Sequence, residues 1–214
     1  MSGVSDDRAD ERAALIDRLA TGGSVDPAVL AAMRSVPRHL FIPPEHRALA
    51  YRDRPVPIGG GATISAPHII AQMTDLLALE GAEDVLEIGT GCGYHAAVTA
   101  AMLTDGGMVH SVEVSPSLAE AATQNLRAAG VAERVQIRVA DGAEGWPGAA
   151  PYDAAYLTCA APQVPPAVLA QCRQGARVVA PVGSDTQRLI ALTVAADGVR
   201  DRTDHGAVRF VRMQ

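Results

Sequence analysis

The sequence predicts an α/β fold: a mostly parallel, twisted sheet flanked by helices, with a small helical extension at the N-terminus. Three observations carry this. Strand-like apolar runs and amphipathic helical runs alternate from "DVLEIG" onward, and such alternation builds a parallel sheet through crossover helices. Glycines 89, 91 and 93 follow the first of these strands directly, where a tight strand-to-helix turn requires them. The 214 residues are 48% hydrophobic and 20% charged, which supports one substantial core and is wrong for disorder. The expected organisation is a single domain over 1–214, with 1–60 as the extension and 61–214 as the α/β core.

Taken in order, Leu15, Ile16 and Leu19 share one face of a first helix, which Gly22-Gly23 stops. Asp26-Pro27 starts a second helix, with Asp as cap and Pro in the first turn. Val29, Leu30 and Met33 form its buried face. From Pro37 to Gly61 the chain is rich in Pro, Arg and Gly and reads as an irregular, ordered surface segment. After Pro67, the residues Ile69, Ile70, Met73, Leu76 and Leu77 mark an amphipathic helix. "DVLEIG", "MVHSVEV", "RVQIRVAD", "YDAAYLT" and "ARVVAPVG" read as strands. "YHAAVTAAML", "SPSLAEAATQNLRAAG" and "PPAVLAQC" read as helices between them. "RLIALTVAADG" and "AVRFVRM" close the chain as two antiparallel strands.

Composition narrows the function classes. The net charge of -6 argues against a nucleic-acid surface, since phosphate affinity needs clustered cations. No Lys occurs and every cation is Arg. Cys92, Cys159 and Cys172 are an odd number at unpatterned spacings, which suggests free thiols in a reducing cytoplasm. The acidic N-terminus lacks the apolar core of a secretion signal, and no apolar stretch approaches membrane-spanning length. The six histidines show no metal-ligand spacing, so neither metal nor membrane is expected. Cys92, His95 and Cys159 read as small or packed core residues, and Trp146 as packing beneath a loop rather than stacking on a ligand.

The chemistry concentrates at strand ends. Gly89, Gly91 and Gly93 are spaced G-x-G-x-G, close to a dinucleotide fingerprint but with Tyr94 at its sixth position. Glu87 ends the first strand, where a carboxylate suits a cationic amino-acid group and repels a pyrophosphate. Glu113 ends the next and can accept from both hydroxyls of a ribose. Asp141-Gly142 ends the third, where a carboxylate can accept from an adenine amino group. One carboxylate at a strand end is unremarkable surface chemistry; three at successive ends outline a ligand crevice. An amino acid, a ribose, an adenine and no phosphate describe S-adenosylmethionine.

"VLEIGTGCGY", "VEV", "ADGAEGW" and "APYDAAYLTCAAPQVPPAVLAQ" resemble the protein-L-isoaspartate O-methyltransferases. So do "VPRHLF", "DRPVPIG", "TISAPH" and the closing "VRFV", and the resemblance covers the chain from Ser35 onward. It implies a Rossmann-like class I methyltransferase fold and a monomeric enzyme. The implied activity methylates the free α-carboxyl of L-isoaspartyl residues in damaged proteins, so that they reclose to succinimide and return partly to aspartate. The resemblance makes Ser65 the active-site serine, a hydrogen-bond donor to the acceptor carboxylate. It places Ala62, Thr63, Ile64 and Ser65 around the methionine end of the cofactor, with Thr63, Ser65 and His68 toward the substrate. Bacterial members commonly have Gln where Ala62 stands. Two other acceptors fit the same scaffold, an Asp of a dedicated partner peptide closing to aspartimide and a tRNA adenine. A plain alternative for Ser65 is a helix cap, although Pro67 in the first turn shifts that position to Ala66.

Overall fold

The computed structural model of the chain describes residues 8–22, 25–81, 83–104 and 106–214. Helices α1 (Ala9–Ala20) and α2 (Pro27–Ser35) come first. Asp26 caps α2 by accepting from the Ala28 amide at 2.7 Å, with Pro27 in the first turn, where its fixed φ is already helical. Leu15, Ile16, Val29 and Met33 from these helices join one buried cluster with Val85 and Tyr94 of the α/β part. Gly22 follows α1, while Gly23 lies outside the described residues.

The segment from Pro37 to Gly61 is more regular than the sequence suggests. It contains two 3-10 turns, Arg38–Phe41 and Pro44–Leu49, and then strand β1 (Val56–Gly59). Strand β1 pairs antiparallel with β2 (Ala62–Ile64). Gly60 and Gly61 make the turn with φ of 58° and 74°, a region open to glycine without steric cost. Strands of four and three residues, one with a proline inside it, leave no readable period-two pattern. The hydroxyl-bearing "TIS" stretch is therefore the end of a hairpin, followed by helix α3 (Pro67–Leu77).

The remaining elements are β3 (Asp84–Ile88), α4 (Tyr94–Met102), β4 (Met108–Glu113), α5 (Pro116–Ala128), β5 (Val135–Val139) and β6 (Tyr152–Leu157). Helix α6 (Pro166–Ala170) and strands β7 (Cys172–Val182), β8 (Gln187–Ala195) and β9 (Gly198–Val208) follow. Seven strands form one sheet in the order β5-β4-β3-β6-β7-β8-β9. The first five are parallel, and β8 and β9 are antiparallel additions. The chain steps outward from β3 to β5, then returns to lay β6 against the other side of β3. Such a reversal opens a crevice at the carboxyl ends of the strands. Alternation along β3 sends Val85 into the cluster under the helices and Leu86 and Ile88 into the one around Val168 of α6.

The end of the chain corrects one expectation. "AVRFVRM" is not the final strand, because β9 stops at Val208 and the tail turns back across the sheet edge. Arg212 makes a parallel bridge to Ala160. The Ala160 amide donates to the Val211 carbonyl, and the Met213 amide donates to the Ala160 carbonyl, each at 2.8 Å. Gln187 accepts from the Phe210 amide at 2.6 Å and donates to its carbonyl at 3.0 Å. These distant partners leave no local sequence signal.

Because α1 shares its cluster with the sheet, Leu15→Ala is expected to cost about 2–5 kcal/mol, the usual range for an emptied core site. Urea unfolding followed by two probes should show one coincident transition. Two separate transitions would mean that the N-terminal helices fold apart from the sheet.

Candidate active site

A cavity of about 230 Å³ opens at the carboxyl ends of the parallel strands. Its walls come from the β1–β2 turn, the glycine loop after β3, the ends of β4 and β6, Gly142 and the chain's tail. The glycine loop shows why each glycine stands where it does. Gly89 has φ 95°, and a Cβ there would collide with Thr158 Oγ1. Gly91 has φ 55° and faces the cavity. Gly93 serves packing instead, since its Cβ would sit 3.3 Å from Ala122 and Leu126 on α5. Gly142 is as tightly fitted, because a Cβ there would strike Ile88 Cγ2.

Glu113 ends β4 with its carboxylate at the cavity wall and only 6% exposed. One oxygen accepts from the Gly91 amide at 2.9 Å and the other from the Ser115 amide at 3.0 Å. Each oxygen keeps a further lone pair, enough for a neighbouring diol. Val112, Val114 and Leu118 add apolar wall beside it. Arg212 is the one cation on the wall, and it is already bonded to Asp185 and to the Ser184 carbonyl. A carboxylate, glycine amides and apolar surface with no free cation suit a nucleoside that carries no phosphate. The residues present therefore fit S-adenosylmethionine.

Asp141 lies beside this wall rather than in it. Its Oδ1 caps the next turn by accepting from the Ala143 amide at 2.8 Å, and its side chain is exposed. Glu87 is also off the wall. It is fully buried beneath the glycine loop, where Ser111 Oγ donates to its Oε2 and Ser111 in turn pairs with Thr90 of the loop. Glu87 Oε1 has no partner among the described residues. Burial, with a lesser push from the Glu113 charge, raises its pKa from the ordinary 4.5 to about 8; the Ser111 hydrogen bond and the nearby Tyr156 hydroxyl oppose the rise. Tyr156 accepts from Thr99 at 3.1 Å and packs on His95, with ring centroids 4.3 Å apart. His95 pairs with Thr74 at 3.1 Å, and burial lowers its pKa to about 3. It is a neutral, structural histidine.

The hairpin end divides its residues between jobs. Ala62 and Thr63 line the cavity, whereas Ile64 is buried in the core. Ser65 is half-buried and not on the wall. Its carbonyl accepts from Arg38 Nη2 at 2.7 Å, and its hydroxyl has no hydrogen-bond partner among the described residues. Ala66 occupies the cap position of α3, which has no side-chain cap bond, so Ser65 is not a helix cap. His68 is exposed, with its amide and its Nδ1 both bonded to Asp53 Oδ1, at 3.0 and 2.8 Å.

The sequence therefore locates six wall residues, Ala62, Thr63, Gly89, Gly91, Glu113 and Gly142. It misses Thr158 and Cys159 at the end of β6 and the tail from Val211 to Gln214. The β6 residues were within reach, since they too follow a strand of the parallel sheet. Trp146 packs edge-on against His110, with centroids 5.5 Å apart, and takes no part in the wall. Among the described residues, no group of three His, Cys, Asp or Glu side chains is placed to hold a metal ion. No described helix is long and apolar enough to cross a membrane.

The Glu87 environment sets a pH signature. A carboxyl whose folded pKa lies above its unfolded value stabilises fully below the unfolded value and loses that contribution as pH rises through the folded one. Between about 4.5 and about 8, Glu87 should therefore drain stability with rising pH. Urea midpoints measured across this range should fall less in Glu87→Gln than in the unsubstituted chain. Parallel curves for the two proteins would contradict a proton held on Glu87.

A family model described as protein-L-isoaspartate(D-aspartate) O-methyltransferase matches residues 10–214. Protein-L-isoaspartate O-methyltransferase 1 of Archaeoglobus fulgidus is 48% identical over 202 residues, covering 94% of this chain and 92% of that one. Its counterpart from Anaeromyxobacter is 47% identical over 195 residues, covering 90% and 91%. A solved protein-L-isoaspartate O-methyltransferase matches with a TM-score of 0.86 at 28% identity, covering 94% of this chain and 65% of that one. The cavity, the glycine loop and these likenesses agree, and the chain belongs to the protein-L-isoaspartate O-methyltransferase family.

Proposed function

We infer that this chain uses S-adenosylmethionine to methylate the free α-carboxyl of L-isoaspartyl residues in damaged proteins and peptides, starting their repair through succinimide. The observation that carries the reading is one cavity wall shared by the hairpin residues Ala62 and Thr63, the glycine loop and Glu113. When bound, the cofactor supplies an electrophilic methyl group. The acceptor carboxylate is already a nucleophile at neutral pH, so the chain has no proton to remove. Its task is to align the acceptor and exclude water.

Glu113 would hold the donor's sugar through its free lone pairs, and Asp141 beside Gly142 would serve the adenine. Glu87 supports the loop from below through Ser111 and Thr90. The unpaired Ser65 hydroxyl donates to one acceptor oxygen, and the N-terminus of α3 adds partial positive charge near that anion. His68, exposed and steadied by Asp53, would meet the polypeptide that carries the damage. Three free cysteines support a reducing cytoplasm as the setting, and the reading takes the monomer as the working unit.

Two outcomes test this. The chain should label an L-isoaspartyl peptide from methyl-labelled cofactor and leave the matched L-aspartyl peptide nearly unlabelled. Equal labelling of both, or labelling of tRNA alone, would move the acceptor to one of the other two classes. Ser65→Ala should lower turnover by about a hundredfold, roughly 3 kcal/mol for a positioned donor, with cofactor affinity and melting temperature nearly unchanged. Full activity in a folded variant would take Ser65 out of the site.

A further inference from the structure

We propose that Arg38 is a positioning residue for methyl transfer, locking the Ser65 turn to the helix that emerges from the glycine loop. The proposal rests on reading that turn as the acceptor clamp. Arg38 is fully buried in the first 3-10 turn. Its Nε donates to the Ala50 carbonyl at 3.0 Å and its Nη2 to the Ser65 carbonyl at 2.7 Å. The guanidinium carbon lies 4.8 Å from the ring centroid of Tyr94, which begins α4 directly after Gly93. One side chain thus joins three separate segments: the N-terminal turn, the hydroxyl-bearing hairpin end and the start of the cofactor-loop helix.

The energetics point away from a purely structural role. Arg38 forms no ion pair with a carboxylate among the described residues, and its Nη1 is buried without a partner. Asp53 is close enough to favour its charge but is bonded to His68. A buried cation in that condition stabilises a fold less than an apolar side chain of similar volume. What a guanidinium offers, and an apolar chain cannot, is a rigid fork that fixes two carbonyls while lying on a ring. Fixing the Ser65 carbonyl fixes the base from which its hydroxyl projects. The charge also sits in a poorly screened interior, one residue behind the place where an anionic acceptor would bind. Burial lowers the Arg38 pKa, yet a guanidinium stays protonated in proteins.

Arg38→Met removes fork and charge, and Arg38→Lys keeps the charge but cannot span both carbonyls. Three quantities are read on each: cofactor dissociation constant, kcat and KM for the isoaspartyl peptide, and hydrogen exchange of the backbone amides. A misplaced acceptor should cut kcat by about tenfold to a hundredfold, raise the peptide KM and leave the cofactor constant within about twofold. Amides 62–66 should exchange faster while those of α1 keep their rates, with Arg38→Lys intermediate in every measure. Unchanged kinetics and exchange, faster exchange throughout the molecule, or failure of both variants to fold would overturn the proposal. If the unsubstituted chain labels no isoaspartyl peptide, the functional reading falls, and the exchange pattern alone still decides whether Arg38 holds the turn.

Discussion

Glu113 accepts one backbone amide on each carboxylate oxygen, Gly91 from the loop after β3 and Ser115 from the start of α5. That pair of bonds sets the spacing between two adjacent strand exits, and the rest of the carboxyl edge is built to fit it. Gly89 must take a φ of 95° so that the loop can reach back to Glu113, and Thr158 fills the space a side chain there would need. Charge-assisted bonds to backbone amides are among the stronger ones available to a folded chain. Here they hold the loops and leave lone pairs for a ligand at the same time.

Beneath this edge lies a second polar layer that never meets the cavity. Glu87, Ser111 and Thr90 support the glycine loop, and Thr99, Tyr156, His95 and Thr74 extend the polar side chains into the helix-covered core. The hairpin side of the cavity has a different origin. It comes from the N-terminal third, whose helices share a cluster with the sheet and whose 3-10 turn carries Arg38. The strand ends of the α/β part and the hairpin turn thus form one wall, with Ala62 and Thr63 at the hairpin's contribution to it.

The parts legible in the sequence were those governed by local rules. Alternating strands and helices gave the parallel sheet, and the G-x-G-x-G spacing located the tight turn after β3. Glu113 was found because it ends a strand, and Ala66 as the cap because Pro67 follows it. What stayed hidden depends on distant partners. Glu87 also ends a strand, yet it pairs in register with Ser111, two residues before Glu113 on the same face, and so lies beneath the loop rather than at the edge. The β1–β2 hairpin is too short to show a period, and the tail after Val208 is placed only by Ala160 and Gln187. Arg38 falls in the stretch rich in Pro, Arg and Gly that reads as surface, because nothing around it in sequence says that it is buried.

The cavity wall draws on segments as far apart in sequence as Gly60 and Gln214. A molecule seated there touches the hairpin, the sheet edge and the returning tail together, so it acts as a non-covalent tie across most of the chain. Unfolding must first expel it. The supply of such a molecule then becomes part of the protein's own stability, adding about 2.7 kcal/mol at a hundredfold excess over its dissociation constant. Where the methyl donor is scarce that contribution shrinks, and the unfolded fraction of the chain rises with it.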